Sequence, residues 1–196
     1  MELFKEITDG INSLSGLQLY CFIASQIIGF IATILAIIAG QVNSKKTILI
    51  LELVLNFLCA LAALLVGGFN GAMVCFIACF AAVFLYYFDK KDIKIPTWFY
   101  ICAYGAFLIS GIITFMLVPE KHWFDILPIP ASMLFVYGIS AKKPTYYRIA
   151  FVFNSSMWII YNFCITAYTS ILTQAFLLVS LIIGIIRLDI LKKDAE

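Results

Sequence analysis

Seven stretches of this chain run on with almost no charged side chain, and little sequence is left between them. They cover residues 17–40, 47–66, 72–88, 98–117, 126–140, 147–164 and 170–187. A helix of about 20 apolar residues crosses a hydrocarbon layer of about 30 Å. Of the 196 residues, 64% are hydrophobic and 12% charged, where a soluble domain carries about 25% charged residues. Too few polar side chains remain to coat a water-facing core, so lipid is the solvent this chain suits. The expectation is an all-α polytopic membrane protein with seven transmembrane helices, forming a single membrane domain over 1–196.

The residues ahead of the first run carry Glu2, Glu6 and Asp9 against Lys5, the wrong charge for the n-region of a signal peptide. The run is also too long for one. Leu3, Phe4, Ile7, Ile11 and Leu14 fall roughly on one face, so this terminus reads as either a short interfacial helix or a polar tail.

Basic residues then set the orientation. With seven spans, Lys45, Lys46, Lys90, Lys91, Lys94, Lys142, Lys143, Arg148, Arg187, Lys192 and Lys193 share one side, and only Lys5 and Lys121 fall on the other. Dropping one span would scatter these charges over both faces. The positive-inside rule then puts the C-terminus in the cytoplasm and the N-terminus outside. The net charge of +2 is therefore a topology signal and an anionic-lipid contact, with no nucleic-acid partner implied. All six cysteines lie in apolar runs and read as packing residues. Cys75 and Cys79 share a helix face, but no His or carboxylate accompanies them, so neither a metal site nor a cofactor is expected.

An internal repeat is suggested by pattern. Shifting the chain by 98 residues lays Gly40 on Gly138, Lys45 on Lys143 and Asn56 on Asn154. Each half has a lysine-bearing first loop and an uncharged second turn, at 67–71 and 165–169. Spans 1–3 (17–88) and 5–7 (123–188) would then be parallel triple-helix bundles, joined by linker span 4 (98–117).

A polar group left unpaired in lipid costs several kcal/mol, so the few mid-span polar residues are where function is sought. In the sixth run Asn154, Trp158 and Asn162 recur at i, i+4 and i+8, flanked by Tyr161. An indole that stacks and amides that replace water suit a sugar, a nucleoside or a vitamin-like ring. The competing reading is helix–helix glue, worth about 0.6 kcal/mol per hydrogen bond; cavity lining is preferred. Asn56 holds the equivalent place in the first half, and the two amides would floor a shared pocket. Gln26, Thr33 and Gln174 would add hydrogen bonds. Glu52, one turn from Asn56, is a candidate for proton coupling, because desolvation disfavours a carboxylate's charge. The preferred reading is plainer: Glu52 snorkels to the interface or pairs with Lys46. The fifth run is short and contains Pro128 and Pro130, which would let it bend as a hinge.

Over roughly residues 17–187 the chain resembles bacterial inner-membrane proteins of the Imp-YgjV type. The resemblance rests on Trp158-Ile159-Ile160-Tyr161-Asn162-Phe163, Phe176-Leu177-Leu178 and Ile185-Ile186-Arg187, with Leu64-Leu65 and Gly71-Ala72 in the first half. That family looks like a distant relative of the SWEET sugar facilitators, the PQ-loop proteins and the PnuC vitamin transporters. The resemblance implies two triple-helix bundles with substrate held between them, and by similarity Trp158 with Asn154 or Asn162 would line that site. The chain departs from the wider pattern in two ways. It has no Pro-Gln dipeptide, and spans 3 and 7 lack the Asn that SWEET-type transporters place there; Ser180 and Gly184 stand in span 7. Sugar specificity therefore does not carry over.

The functional expectation is a transporter or facilitator of a small polar metabolite in the bacterial inner membrane, working by alternating access. Its partners would be the bilayer, the metabolite and, for a homo-oligomer, further copies of the chain. The rival reading is a receptor or assembly protein on the same scaffold, without transport. No nucleophile–base pair, metal cluster or phosphate-cradling glycine loop occurs, so an enzyme is disfavoured.

Overall fold

The computed structural model describes residues 16–66, 69–117, 122–164 and 168–191, all helices and short links with no strand among them. In chain order the helices are α1 (Gly16–Gln41), α2 (Lys45–Leu65), α3 (Phe69–Lys90), α4 (Thr97–Leu117), α5 (Pro128–Ser140), α6 (Pro144–Cys164) and α7 (Tyr168–Gly184). A 3-10 turn, Trp123–Ile126, leads into α5, and a π-helical turn, Ile185–Ile190, prolongs α7. The amphipathic reading of residues 3–14, the Gly67–Gly68 turn, Lys121 and residues 165–167 lie outside the described residues.

Local sequence explains where α2 begins and which way it faces. Ser44 is extended, and its hydroxyl accepts the Thr47 N–H at 3.5 Å, satisfying one of the orphan donors of the first turn. From there Leu49, Glu52, Asn56 and Ala60 recur at three- to four-residue spacing and are buried, while Ile50, Val54 and Phe57 are exposed. The inward stripe of α2 thus includes its two most polar side chains. Elsewhere small residues let the backbones approach: Ala39, Ala60, Ala82 and Ala131 have 0% exposure.

α2 packs against both α1 and α3, α6 packs against both α5 and α7, and α1 closes on α7. α4 touches α3 and α5 more lightly. A row of rings, Tyr147–Phe151–Phe135–Phe107, runs from α6 through α5 to α4 with centroid spacings of 4.2, 5.6 and 6.0 Å. The outer surface is clad in apolar side chains such as Ile27, Phe30, Phe80, Ile101 and Phe163. Water would not tolerate that continuous surface, whereas acyl chains match it.

Five of the seven helices (α1, α2, α3, α4 and α7 with its π turn) are long and apolar enough to cross a membrane. The other two differ for separate reasons. α5 has only 13 residues, about 20 Å of helix. α6 has 21 residues but carries Arg148, Asn154 and Asn162 among its buried side chains.

The prolines expected to form a hinge in span 5 fall at the start of α5, not in its interior. Pro128 is the first residue after the cap Leu127 and Pro130 lies in the same turn, with the Ala131 N–H already bonded to the Leu127 carbonyl at 3.2 Å. First-turn N–H groups have no intrahelical partner, so proline is accommodated there without loss of a helical hydrogen bond.

Candidate functional site

The helix ends that carry Lys45, Lys90 and Lys143 meet at one end of the molecule. Lys45 pairs with Asp89 at 3.5 Å, and the start of α6 reaches both the end of α1 and the π turn after α7. A seam of buried polar side chains lies just inside this end.

Arg148 is its hub. In the second turn of α6 it has 0% exposure, the largest side chain so enclosed. Its Nε donates to the Gly40 carbonyl at 3.0 Å and its Nη2 to the Val42 carbonyl at 2.8 Å. Those carbonyls end α1, where no intrahelical donor remains, so a guanidinium from the other half of the chain caps α1 and meets the negative end of its dipole. Nη1 donates to both carboxylate oxygens of Asp189 at 2.9 Å, and the Thr145 hydroxyl donates to the same carboxylate at 2.7 Å. The π turn carries Asp189 to this position: the Leu191 N–H reaches back to the Ile186 carbonyl at 3.0 Å.

Beside Arg148, Tyr147 crosses in the other direction. Its hydroxyl donates to Glu52 Oε1 at 2.6 Å, and Asn56 Nδ2 donates to Glu52 Oε2 at 3.1 Å. Glu52 is 2% exposed. The expectation that it snorkels or pairs with Lys46 is overturned: its place on the inward stripe of α2 turns it from the interface and onto the phenol of α6. Lys46 is exposed.

A third contact closes the seam between α1 and α7. The Ser180 hydroxyl donates to the Ile37 carbonyl at 2.9 Å, and Gln41 Nε2 donates to both Ser180 oxygens. Gly184 is required here, since a Cβ on it would collide with the Gly40 carbonyl oxygen.

The residues singled out for a central pocket divide. Asn154 is buried, and its amide donates to the Ala131 carbonyl of α5 at 2.6 Å, so it joins neighbouring helices of one half. Asn56 is engaged by Glu52, and its amide also reaches the Glu52 carbonyl at 2.8 Å. Each amide is thus bonded to protein groups of its own half. Trp158 is half-buried with Tyr161 edge-on at 5.7 Å, and Asn162 is buried farther along the same helix. Among the described residues, Ser155 Oγ and Gln174 Oε1 are buried with no hydrogen-bond partner. Ser110 Oγ in α4 is a third such atom, and buried polar atoms of this kind are where a ligand or a water would bond. Thr33 bonds back to the Gly29 carbonyl within α1, and Gln26 is exposed beside Ile23, Ile27 and Phe30, away from the seam.

Sequence reasoning missed Arg148, Tyr147, Asp189, Gln41 and Ser180. Arg148 had a signal. It falls inside the sixth apolar run, where an ionisable residue is as informative as Glu52, yet it reads as one more cytoplasmic charge when only topology is counted. Tyr147 and Ser180 had none, because their partners lie far away in the chain.

A family model described as a bacterial inner membrane protein, Imp-YgjV, matches residues 23–192 of this chain. The chain has no significant match among curated proteins or solved structures.

Proposed function

The chain belongs to the Imp-YgjV family of bacterial inner membrane proteins, and from that premise we propose that it carries a small polar metabolite across the membrane by alternating access. In this reading all seven helices cross the bilayer, with the lysine-bearing end and the C-terminus in the cytoplasm and the N-terminus outside. α1–α3 and α5–α7 act as two triple-helix units joined by α4. The ligand is a sugar, a nucleoside or a vitamin-like compound, and no bond is made or broken in it.

The observation that carries the proposal is the polar seam at one end. Two units meant never to separate gain most from apolar side chains that interdigitate, because buried charges cost desolvation that their attraction barely offsets. A joint made from a guanidinium, a carboxylate, a phenol and backbone carbonyls can instead be opened and rehydrated, since water replaces each lost partner. We therefore read Tyr147–Glu52 and the bonds from Arg148 to the Gly40 and Val42 carbonyls, with Arg148 held by Asp189 of its own unit, as a closed gate; deeper than it lie Trp158, Asn162, Ser155 and Gln174. Glu52 in that gate keeps its proposed role in proton coupling.

One observation favours the receptor or assembly reading. Asn56 and Asn154, the two amides of the expected pocket floor, are engaged by Glu52 and Ala131. A single test separates the two. Purified protein is first screened by thermal shift against nucleosides, vitamins and sugars, since a ligand of the folded state raises Tm. Uptake of any hit is then measured in proteoliposomes for wild type and Trp158→Ala. A carrier predicts uptake by wild type and a loss of about tenfold or more in the variant, as expected when an aromatic stacking contact is removed. Binding without uptake favours the receptor.

A further inference from the structure

On the flank of the lysine-bearing end, where α4, α5 and α6 come together, lies a groove of about 540 Å³. Tyr100, Tyr137, Tyr146, Ser140, Lys142 and Lys143 line it. We propose that this groove is a binding site for the phosphate headgroup of an anionic glycerophospholipid, with Lys142 and Lys143 as its counter-charges.

Three features point to that occupant. The first is uncompensated charge. Lys142 and Lys143 are exposed, and among the described residues neither has a carboxylate partner. By contrast, Lys45 pairs with Asp89, Arg148 with Asp189, and Lys91 lies over the Tyr87 ring at 5.2 Å. Two unpaired ammonium groups adjacent in sequence on one groove suit a phosphodiester. The second is the lining: tyrosines with exposed rims, Tyr137 at 50% and Tyr146 at 49%, combine a ring that tolerates acyl chains with a hydroxyl that bonds a headgroup oxygen. The third is location. The outer face of α4 next to Tyr100 exposes Ile101 and Leu108, a surface for acyl chains to lie along, so a lipid anchored in the groove has somewhere to put its tails. A soluble anion would gain nothing from that face. Basic grooves between transmembrane helices at a charged end are a recurrent way of holding acidic headgroups. The site is independent of transport, and it would hold for a receptor equally well.

The test uses the full chain purified in a neutral maltoside detergent, titrated with dihexanoyl phosphatidylglycerol, dihexanoyl phosphatidylcholine or inorganic phosphate, with Tm as the readout. Phosphatidylglycerol is expected to raise Tm saturably and phosphatidylcholine to leave it unchanged. K142Q/K143Q should weaken the phosphatidylglycerol response about thirtyfold, whereas K90Q/K91Q, an exposed pair at the same end, should keep it. Both pairs are exposed, so the variants should melt like wild type without lipid. The proposal is overturned if K142Q/K143Q keeps the wild-type response, or if phosphatidylglycerol gives no saturable shift. It is also overturned if inorganic phosphate matches phosphatidylglycerol at equal concentration, which would make this a soluble-anion site.

Discussion

Arg148 concentrates the energetics of the seam in one side chain. A guanidinium with no exposed surface, held by Asp189 and two end-of-helix carbonyls, tolerates the loss of a partner poorly, because the charge left behind has no water to turn to. Asp189→Asn is therefore expected to destabilise the protein by about 3 kcal/mol or more. The double variant Arg148→Met with Asp189→Leu should cost less than the sum of the two single changes, with denaturant unfolding in detergent micelles as the measurement that checks it. Lys45 and Asp89 provide the contrast. Their pair at 3.5 Å leaves both side chains partly exposed, so Lys45→Ala should cost about 1 kcal/mol or less. Equal effects at the two sites would remove Arg148 as the hub. Asn154 and Glu52 carry a related lesson. Both are bonded to protein groups, and the residue type alone does not say whether a polar side chain in a membrane helix serves protein or ligand.

Between elements, the decisive feature is how closely α1 and α7 approach. Gly184 has no room for a Cβ against the Gly40 carbonyl oxygen, and backbone is what would have to move. Gly184→Ala is expected to push α7 off the end of α1, stretch the Arg148 and Ser180 bonds, and lower stability by roughly 1–3 kcal/mol. Gly105 in α4 has nothing within 4 Å of its notional Cβ, so Gly105→Ala should be neutral or gain up to about 1 kcal/mol from helix propensity. Thermal melts of the two variants side by side would check this, and matching losses would refute the close-approach argument. Helix α5 makes the complementary point. Its prolines sit in the first turn, so its shortness comes from where the chain starts the helix.

Across the whole molecule, alternating access requires the α1–α7 seam to open during each cycle. A Cβ on Gly40 would stand 3.1 Å from Ser180 Oγ, a spacing a disulfide accommodates. Gly40→Cys with Ser180→Cys, oxidised in proteoliposomes, is expected to stop uptake, and reductant should restore it. Uptake that ignores the oxidation state would mean this seam never parts. A receptor would instead bind its ligand equally well in both states, so the same variant separates the two functional readings.

The amino-acid sequence alone was enough for the helices and their solvent. Runs of apolar residues, their lengths and the lysines between them are properties of neighbouring residues, and the partition of a side chain between lipid and water needs no knowledge of the rest of the chain. The use made of each buried polar group was decided only by tertiary structure. Tyr147 meets Glu52 across 95 residues and Arg148 meets Gly40 across 108, and no local pattern announces a partner so distant. Hydrogen bonds act over about 3 Å, so which donors and acceptors meet is fixed by how whole helices stack, after the sequence has set the helices themselves.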